Sequence, residues 1–360
     1  MRVLHLIFSV AVLMLLMACS PSEEPVQSGM EGSTFALGAD ISWVTEMEKD
    51  GQKFFNSAGK EMECISLMKE IGFNAIRLRV WVNPADGWCN KEDVLTKARR
   101  AQRLGMRLMI DFHYSDFFAD PGRQTVPSAW EGYDAVQMGA AVSSHTGDVL
   151  QTLKNNGIDV AWVQVGNEVN QGMLWPSGKV NGDKAGTFVS YLNEGYCAVK
   201  RIYPDAQVIL HVSNGHDAEL FRWFFTLVQS FRASYDMIGM SLYPIWWENG
   251  GWCSWKSNVD KCVANIRSLQ ATIGKPVMIC ETGMPVNEPQ MSAEALKYVL
   301  DQMSGLEACR GVFYWEPQTD GVWKPARYDE LGWGPYDMGV FKDGRPTAVL
   351  DAFKITSEQK

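Results

Sequence analysis

Eight short segments rich in apolar and β-branched residues recur along the chain, and each leads into a segment with helical periodicity. Strands that alternate with helices build a parallel sheet, because each crossover helix returns the chain to the same edge. Eight such units predict an α/β protein consisting of a single (β/α)8 TIM barrel over residues 34–355. An open, doubly wound sheet is the alternative, which is disfavoured because no glycine fingerprint opens a helix after the first strand.

The bounds of these segments follow from the apolar periodicity. The predicted strands cover residues 35–41, 75–80, 107–112, 160–165, 207–211, 237–242, 276–280 and 311–315. The predicted helices cover residues 61–71, 92–104, 136–154, 188–202, 218–231, 259–273, 293–303 and 346–353.

The composition suits a globular protein that does not bind nucleic acid. Hydrophobic residues make up 46% of the 360 residues and charged residues 21%, a balance that argues against disorder. The 33 Lys and Arg against 42 Asp and Glu give a net charge of −9, without the basic surplus of a nucleic-acid-binding protein. The 14 Trp residues indicate either a Trp-rich core or a groove for flat, partly apolar ligands such as sugar rings.

The first 19 residues have the organisation of an export signal. Arg2 precedes an apolar run over residues 3–17, which is too short for a stable membrane span. The run ends in Leu-Met-Ala-Cys, which resembles a bacterial lipobox in which Cys19 is lipidated and becomes the mature N-terminus. Residues 20–33 are rich in Pro, Gly and acidic side chains and are predicted to form a flexible tether. We expect an exported protein that is lipid-anchored to the outer membrane. The acidic residues after the cysteine resemble a surface-export signal and indicate exposure at the cell surface. A plain signal peptide with a chance cysteine is the alternative.

Polar and aromatic side chains collect just after nearly every predicted strand. In a TIM barrel the chemistry takes place at the carboxyl ends of the strands, and a purely structural barrel has no reason to gather such groups there. The candidate site residues are Asp40, Arg77, Trp81, His113, Asp116, Asn167, Glu168, His211, Tyr243, Trp247, Glu281 and Trp315.

Two of these residues, Glu168 and Glu281, directly follow the fourth and seventh strands, which face one another across an eight-stranded barrel. Two carboxyls about 5–5.5 Å apart suit retaining glycoside hydrolysis, in which one is protonated and the other attacks the anomeric carbon. Alternation along a regular strand would send Asn167 and Glu168 to opposite faces. Both reach the cleft only if the strand end kinks, and Gly166 permits such a kink.

Several ordered motifs extend this pattern. They include Gly-Ala-Asp-Ile-Ser-Trp at 38–43, Asn-Ala-Ile-Arg-Leu-Arg-Val-Trp-Val-Asn-Pro at 74–84 and Asp-Phe-His-Tyr-Ser-Asp at 111–116. Gln-Val-Gly-Asn-Glu at 164–168, Leu-Trp-Pro at 174–176 and Trp-Glu-Pro at 315–317 follow. Together they resemble the endo-β-1,4-galactanases of glycoside hydrolase family 53, within the retaining (β/α)8 hydrolases of clan A, over residues 36–353.

The resemblance implies a retaining glycosidase acting on β-1,4-galactan or arabinogalactan, the side chains of pectin. In that family pattern Glu168 is the acid/base and Glu281 the nucleophile. Asn167 would bind the sugar 2-hydroxyl in subsite −1, Arg77 would keep the nucleophile ionised, and Tyr243 would touch its oxygen. His113, Asp116, Asp40 and His211 would line subsite −1, Trp315 would form its floor, and Trp81 and Trp247 belong to the pool of outer platforms.

The resemblance implies no required cofactor, and a structural calcium ion is in question. Some bacterial relatives carry an Asp-, Gly- and His-rich calcium loop after the nucleophile, whereas residues 282–289 here are short and lack paired Asp. Asp320, Asp329 or Asp337 could still contribute to a site elsewhere. We expect a monomer whose partners are the polysaccharide and, through the lipid, the membrane.

Two other functions are compatible with the sequence. One is a different clan-A β-glycanase, such as a mannanase or cellulase, which the 111–116 motif disfavours. The other is a surface glycan-binding protein on a hydrolase-like barrel, which has no need of two opposed carboxylates.

Overall fold

The structure is a computed structural model that describes residues 35–182, 184–245 and 254–358. In chain order its strands are β1 (Ala36–Asp40), β2 (Phe54–Phe55), β3 (Glu61–Met62), β4 (Ala75–Val80), β5 (Arg107–Phe112), β6 (Trp162–Val165), β7 (Gln207–Val212), β8 (Met237–Ser241), β9 (Val277–Thr282), β10 (Cys309–Trp315), β11 (Phe341–Lys342) and β12 (Arg345–Pro346). Its α-helices are α1 (Val44–Lys49), α2 (Cys64–Ile71), α3 (Lys91–Arg103), α4 (Ala135–Asn155), α5 (Gly186–Ile202), α6 (Ala218–Ser230), α7 (Trp255–Thr272), α8 (Pro289–Ser304), α9 (Ala326–Leu331) and α10 (Asp351–Glu358).

Eight parallel strands close into a barrel in the order β1-β10-β9-β8-β7-β6-β5-β4, and β4 pairs with β1 to complete the ring. The prediction of a TIM barrel is confirmed, and the open doubly wound sheet is wrong because no edge remains between β1 and β10. The pairs β2–β3 and β11–β12 form two short antiparallel sheets outside the barrel. All eight barrel strands lie within two residues of their predicted bounds.

Two predicted helices are partly replaced by other elements in the structure, and α7 and α8 each begin four residues before their predicted starts. Residues 61–62 belong to β3, and α2 begins only at Cys64, because the Glu63 carboxylate caps it by accepting from the backbone N–H groups of Ile65 and Ser66. The helix predicted at 346–353 is replaced by the β12 strand, a short 3-10 turn and α10.

Local sequence signals fix the longest helix. Asp134 accepts from the backbone N–H groups of Val136 and Gln137, and the Gln137 side chain accepts from the Asp134 backbone in return. This capping box satisfies N–H groups that a helix start leaves free. Helix α4 therefore begins where the sequence places a good cap, and it packs along α5 on the outside of the barrel.

The barrel interior is apolar toward the amino ends of the strands and polar toward their carboxyl ends. Inward positions recur at every second residue of a strand. Four strands therefore carry a polar side chain two residues after an apolar one in the lumen: Arg77 on β4, Asp111 on β5, Gln164 on β6 and His211 on β7. The apolar layer consists of Ala36, Ala75, Met109, Trp162, Ile209, Met237, Met278, Cys280 and Phe313.

The Phe313 ring occupies the space beside Gly38, where a Cβ would lie 2.1 Å from it. A glycine at this position of β1 is therefore required for the ring to fill the lumen.

The predicted signal peptide, the tether and Cys19 lie outside the described residues, as does Trp247. Within the described part of the chain, no helix has the length and apolar character needed to cross a membrane.

Candidate active site

The fully buried guanidinium of Arg77 lies at the centre of the polar end of the barrel. Its Nη1 donates to Asp40 Oδ2 at 2.8 Å, and its Nε donates to Gln164 Oε1 at 2.7 Å. Its Nη2 lies 2.8 Å from Asp111 Oδ2, 2.9 Å from Asn167 Oδ1 and 2.9 Å from Glu281 Oε1. These five acceptors come from four strands, namely β1, β5, β9 and β6 with the residues just after it, so a single cation links most of the ring of polar side chains that surrounds Arg77.

Glu281 reaches this cation because β9 is bulged. Between Met240 and Ser241 of β8 the pairing advances one residue, whereas on β9 it advances two, from Ile279 to Glu281. The extra residue aims Glu281 inward although Cys280, its neighbour, also faces the lumen. Besides Arg77, the Glu281 carboxylate accepts from the Tyr243 hydroxyl at 3.1 Å.

Glu168 reaches the cleft through a kink at the end of β6. Gly166 has φ +89° and Glu168 has φ +46°, so the backbone leaves the extended conformation directly after the strand. Asn167 and Glu168 can then both face the site, as the kink at Gly166 was predicted to allow. The Glu168 Oε1 accepts from the Ser241 hydroxyl.

The two carboxyls have different electrostatic environments. Burial and, to a smaller extent, the nearby charge of Glu281 together raise the pKa of Glu168 to about 8. Burial also raises the pKa of Glu281, but there the Arg77 guanidinium and the Tyr243 hydroxyl oppose the effect. The Arg77 guanidinium lowers the pKa of Glu281 more than that of Glu168, so the surroundings of Glu281 favour the charged form more than those of Glu168 do.

Asp40 and His211 lie behind the site surface. Both are completely buried. Asp40 accepts from Ser42 and Arg77, whereas His211 contacts Gln164, Asn167 and Ser241. Since neither side chain is accessible to solvent, Asp40 and His211 hold the polar side chains around Arg77 in place and do not lie on the surface that a sugar would touch.

His113 and Asn167 keep a small exposed surface at the site. The Ala119 N–H donates to His113 Nδ1, so His113 Nε2 carries the hydrogen that faces Asp111 Oδ2 at 2.9 Å. Burial lowers the pKa of His113 despite the adjacent Asp111, and the ring is neutral. The Asn167 amide nitrogen donates to the Ala119 carbonyl and retains a second hydrogen.

Asp116 does not join these residues. Its carboxylate accepts from the backbone of Asn83 and from the backbone and hydroxyl of Ser128, and it lines an outer cavity of about 500 Å³. It organises the loops after β4 and β5 and lies in a different cavity from the one implied for subsite −1. The motif at 111–116 predicted that Asp116 would lie near His113 at the site, but after His113 the backbone leads away from the residues around Arg77.

The aromatic predictions divide into surface and core. Trp315 is half-buried and meets Trp43 and Tyr336 edge to face, with ring centroids 5.0 and 4.6 Å apart. Trp81 is buried and packs on Arg79, whose guanidinium carbon lies 5.1 Å from its ring centroid. Trp315 is therefore open to a ligand, whereas Trp81 belongs to the packing beneath the cleft.

Two groups of buried polar residues escaped the sequence reasoning. Gln164 and Ser241 join the ring around Arg77, and Glu316 pairs with Arg79 at 3.3 Å beneath Trp315. Glu316 lies inside a motif already singled out, Trp-Glu-Pro, and could have been found there. Gln164 likewise opens the Gln-Val-Gly-Asn-Glu motif at 164–168, whereas Ser241 lies within an apolar strand and gives no local signal.

No group of three or more His, Cys, Asp or Glu in the described ranges is arranged to hold a metal ion. Asp320 accepts from the backbone of Val322 and Trp323, and Asp329 pairs with Lys324. These two carboxylates are thus engaged in loop structure. Catalysis by two carboxyls requires no metal.

Comparison with known proteins assigns the family. The sequence profile described as Glycosyl hydrolase family 53 matches residues 36–353. The chain belongs to this family. An arabinogalactan endo-beta-1,4-galactanase of Humicola insolens is 33% identical over 303 residues, covering 78% of this chain and 88% of the relative.

Solved structures of family 53 share its architecture. A fungal beta-1,4-galactanase superposes with a TM-score of 0.77 at 30% identity, over 88% of this chain and 98% of the other. The family 53 catalytic domain of Ignisphaera aggregans gives the same TM-score at 26% identity, over 90% and 96% of the two chains. The resemblance drawn from the sequence motifs is therefore confirmed, and the protein is a glycoside hydrolase.

Proposed function

We propose that this family 53 hydrolase cleaves β-1,4-galactosidic bonds within galactan or arabinogalactan, with retention, using Glu168 as acid/base and Glu281 as nucleophile. The observation that carries the proposal is the pairing of two buried carboxyls in opposite environments. Glu281 lies against Arg77 and Tyr243, which favour its charged form, whereas Glu168 has a pKa of about 8. The Humicola insolens relative, an arabinogalactan endo-beta-1,4-galactanase, supports this choice of substrate.

In the first step the Glu281 carboxylate attacks the anomeric carbon, and Glu168 transfers its proton to the departing glycosidic oxygen. The product is a glycosyl ester of Glu281 and a shortened chain with a free hydroxyl. Ester formation removes the charge that helps to raise the pKa of Glu168. Glu168 then becomes a carboxylate that takes a proton from water, and the water oxygen displaces Glu281 from the anomeric carbon.

The remaining site residues bind and orient the sugar in this proposal. The free hydrogen of the Asn167 amide donates to the 2-hydroxyl, a contact that strengthens in the transition state. The exposed face of Trp315 supports the ring in subsite −1. Arg77 keeps the nucleophile ionised, and Tyr243 fixes the orientation of its second oxygen.

A product time course on linear β-1,4-galactan tests the proposal, with β-1,4-mannan and carboxymethylcellulose as controls. We expect oligosaccharides from galactan alone, with long products early, as internal cleavage requires. Cleavage of mannan or cellulose alone would overturn the substrate and retain both carboxyl roles. Retention on a galactan affinity gel without any cleavage would instead favour a glycan-binding protein.

The nucleophile is tested by Glu281→Gln, which removes the charge and keeps the shape. We expect turnover of galactan to fall roughly 10⁴-fold or more, because no second group can form the glycosyl ester. Binding to the affinity gel should persist, since the amide retains hydrogen bonds to its neighbours. Activity within about tenfold of the wild type would mean that the nucleophile is another residue.

A further inference from the structure

The hydroxyl of Ser241, the last residue of β8, contacts both Glu168 and a buried histidine. Ser241 is buried, its Oγ donates to Glu168 Oε1, and His211 Nε2 lies 2.9 Å from the same Oγ. Ser241 is also the direct strand partner of Glu281 across β8 and β9. It therefore lies between the two catalytic carboxyls of the proposed mechanism.

The direction of these hydrogen bonds is set from Arg77. The Arg77 Nε donates to Gln164 Oε1, so the Gln164 amide nitrogen faces His211 Nδ1 at 2.8 Å and donates to it. Asn167 Oδ1 also lies 2.9 Å from His211 Nδ1, but Nδ1 has a single in-plane site, and the Gln164 amide nitrogen, which can only donate, makes that site an acceptor. His211 consequently carries its hydrogen on Nε2 and donates it to Ser241, whose own hydrogen is directed to Glu168.

Burial and the charge of Arg77 keep the His211 ring neutral, because both lower the pKa of His211 well below its usual value. A neutral ring with Gln164 on Nδ1 has a single donor, Nε2. Through the series of hydrogen bonds from Arg77 by way of Gln164 and His211, the Ser241 hydroxyl is left to donate to Glu168, whether Glu168 is protonated or ionised.

We propose that Ser241 is a positioning residue for Glu168: its hydroxyl occupies Oε1, so that the transferable proton is carried on Oε2, toward the cleft. An acid/base must present the same oxygen to the glycosidic oxygen and later to water. Because Oε1 accepts from Ser241 in both steps, the carboxyl keeps one orientation throughout. This role rests on the proposed acid/base function of Glu168.

The hydrogen bond also affects proton affinity. Donation from Ser241 favours the carboxylate, so its loss raises the pKa of Glu168 further. The other groups that face Glu168 would be unchanged by a substitution at Ser241. They are Glu281 on β9, Asp120 in the loop after β5, Arg77 on β4 and Tyr243 beyond β8.

The test compares Ser241→Ala with the wild type on galactan and on a dinitrophenyl β-1,4-galactobioside, whose leaving group needs no proton. We expect kcat/KM to fall about 10- to 100-fold on galactan and less than about threefold on the aryl glycoside. The alkaline limb of the kcat/KM profile should move upward by about one pH unit. A purely structural loss would lower both rates alike and leave the limb in place.

Ser213→Ala is the matched control, because Ser213 is another buried serine at the end of a neighbouring strand. Its hydroxyl accepts from Asn170 and contacts neither carboxyl. We expect an unchanged alkaline limb and equal effects on the two substrates. Ser241→Cys keeps the volume with a weaker donor, so it should fall between wild type and Ser241→Ala, and it tests the role if the alanine variant does not fold.

Glu168→Ala, measured on the same two substrates, separates this inference from the function it rests on. Equal losses for Glu168→Ala would refute its acid role. A strong leaving-group dependence for Glu168→Ala, combined with equal losses and an unshifted limb for Ser241→Ala or Ser241→Cys, would refute the positioning role alone.

Discussion

Arg77, an inward-facing residue in the middle of β4, shows how much of the site one side chain predicts. The sequence identifies it as a cation at the polar end of the barrel, because β4 alternates inward residues and chemistry collects at carboxyl ends. Its five acceptors come from distant parts of the chain, so their identities depend on barrel register. Residue-scale reasoning therefore found Arg77, Glu168 and Glu281, but it could not separate Asp40, which is fully buried, from residues that touch a ligand.

The pH dependence of activity belongs to the same scale. The acid form of Glu168 is required, and its pKa is raised to about 8, so kcat/KM on galactan should fall as the pH rises through about 8. Glu281 must be ionised, and its pKa is raised above the ordinary glutamate value, so the acid limb should lie above that value. A pH–rate profile from acid to alkaline conditions measures both limbs, which belong to the coupled pair.

Glu168→Ala assayed on the dinitrophenyl glycoside provides the control for the alkaline limb. Without Glu168 the leaving group departs unaided, and the fall near pH 8 should disappear. If the limb persists in that variant, a group other than Glu168 titrates there.

At the scale of elements, the barrel was predictable and its irregularities were not. Apolar periodicity placed all eight strands, since each is buried between the lumen and the helices. The β9 bulge that aims Glu281 inward depends on pairing with β8 and β10, which no local pattern encodes. The kink in β6 was partly readable, because Gly166 stands where two adjacent site residues must share one face.

The kink gives a prediction about Gly166→Ala. Gly166 has φ +89°, and a Cβ there would lie 2.6 Å from Val169 Cγ1 and 3.2 Å from the Met173 sulfur. We expect unfolding free energy to fall by about 2–4 kcal/mol, from backbone strain together with overpacking. Because Glu168 lies two residues on, kcat/KM on galactan should fall about tenfold or more. Urea unfolding and steady-state kinetics measure the two effects.

Gly157→Ala is the comparison that isolates backbone strain. Gly157 also has positive φ, +69°, but a Cβ there would meet nothing within 4 Å. It should lose about 1 kcal/mol of stability and keep wild-type activity. Equal behaviour of the two variants would contradict a role of the Gly166 kink in placing Glu168.

At the scale of the whole molecule, the sequence predicts two parts, the barrel and an N-terminal lipid anchor. The proposed catalytic residues all lie within residues 35–358, whereas the predicted export signal, the predicted tether and Cys19 lie outside the described residues. A polymeric substrate is too large to cross a membrane readily, so a hydrolase that acts on it would be useful at the cell surface. The location of the protein does not follow from barrel geometry and needs its own test.

We propose that Cys19 carries lipid, and Cys19→Ala tests this in the full chain expressed in a Gram-negative host. The wild type should sediment with membranes and incorporate labelled palmitate, whereas Cys19→Ala should lose the label and leave the membrane fraction. The activity per molecule should be retained, because the substitution changes no residue of the barrel. Cys197→Ala removes an exposed thiol of the barrel instead and should partition like the wild type. Burying an acyl chain contributes about 0.8 kcal/mol per CH₂ to membrane binding, so loss of the lipid must weaken membrane binding measurably. Unchanged membrane partitioning of Cys19→Ala would therefore refute lipidation.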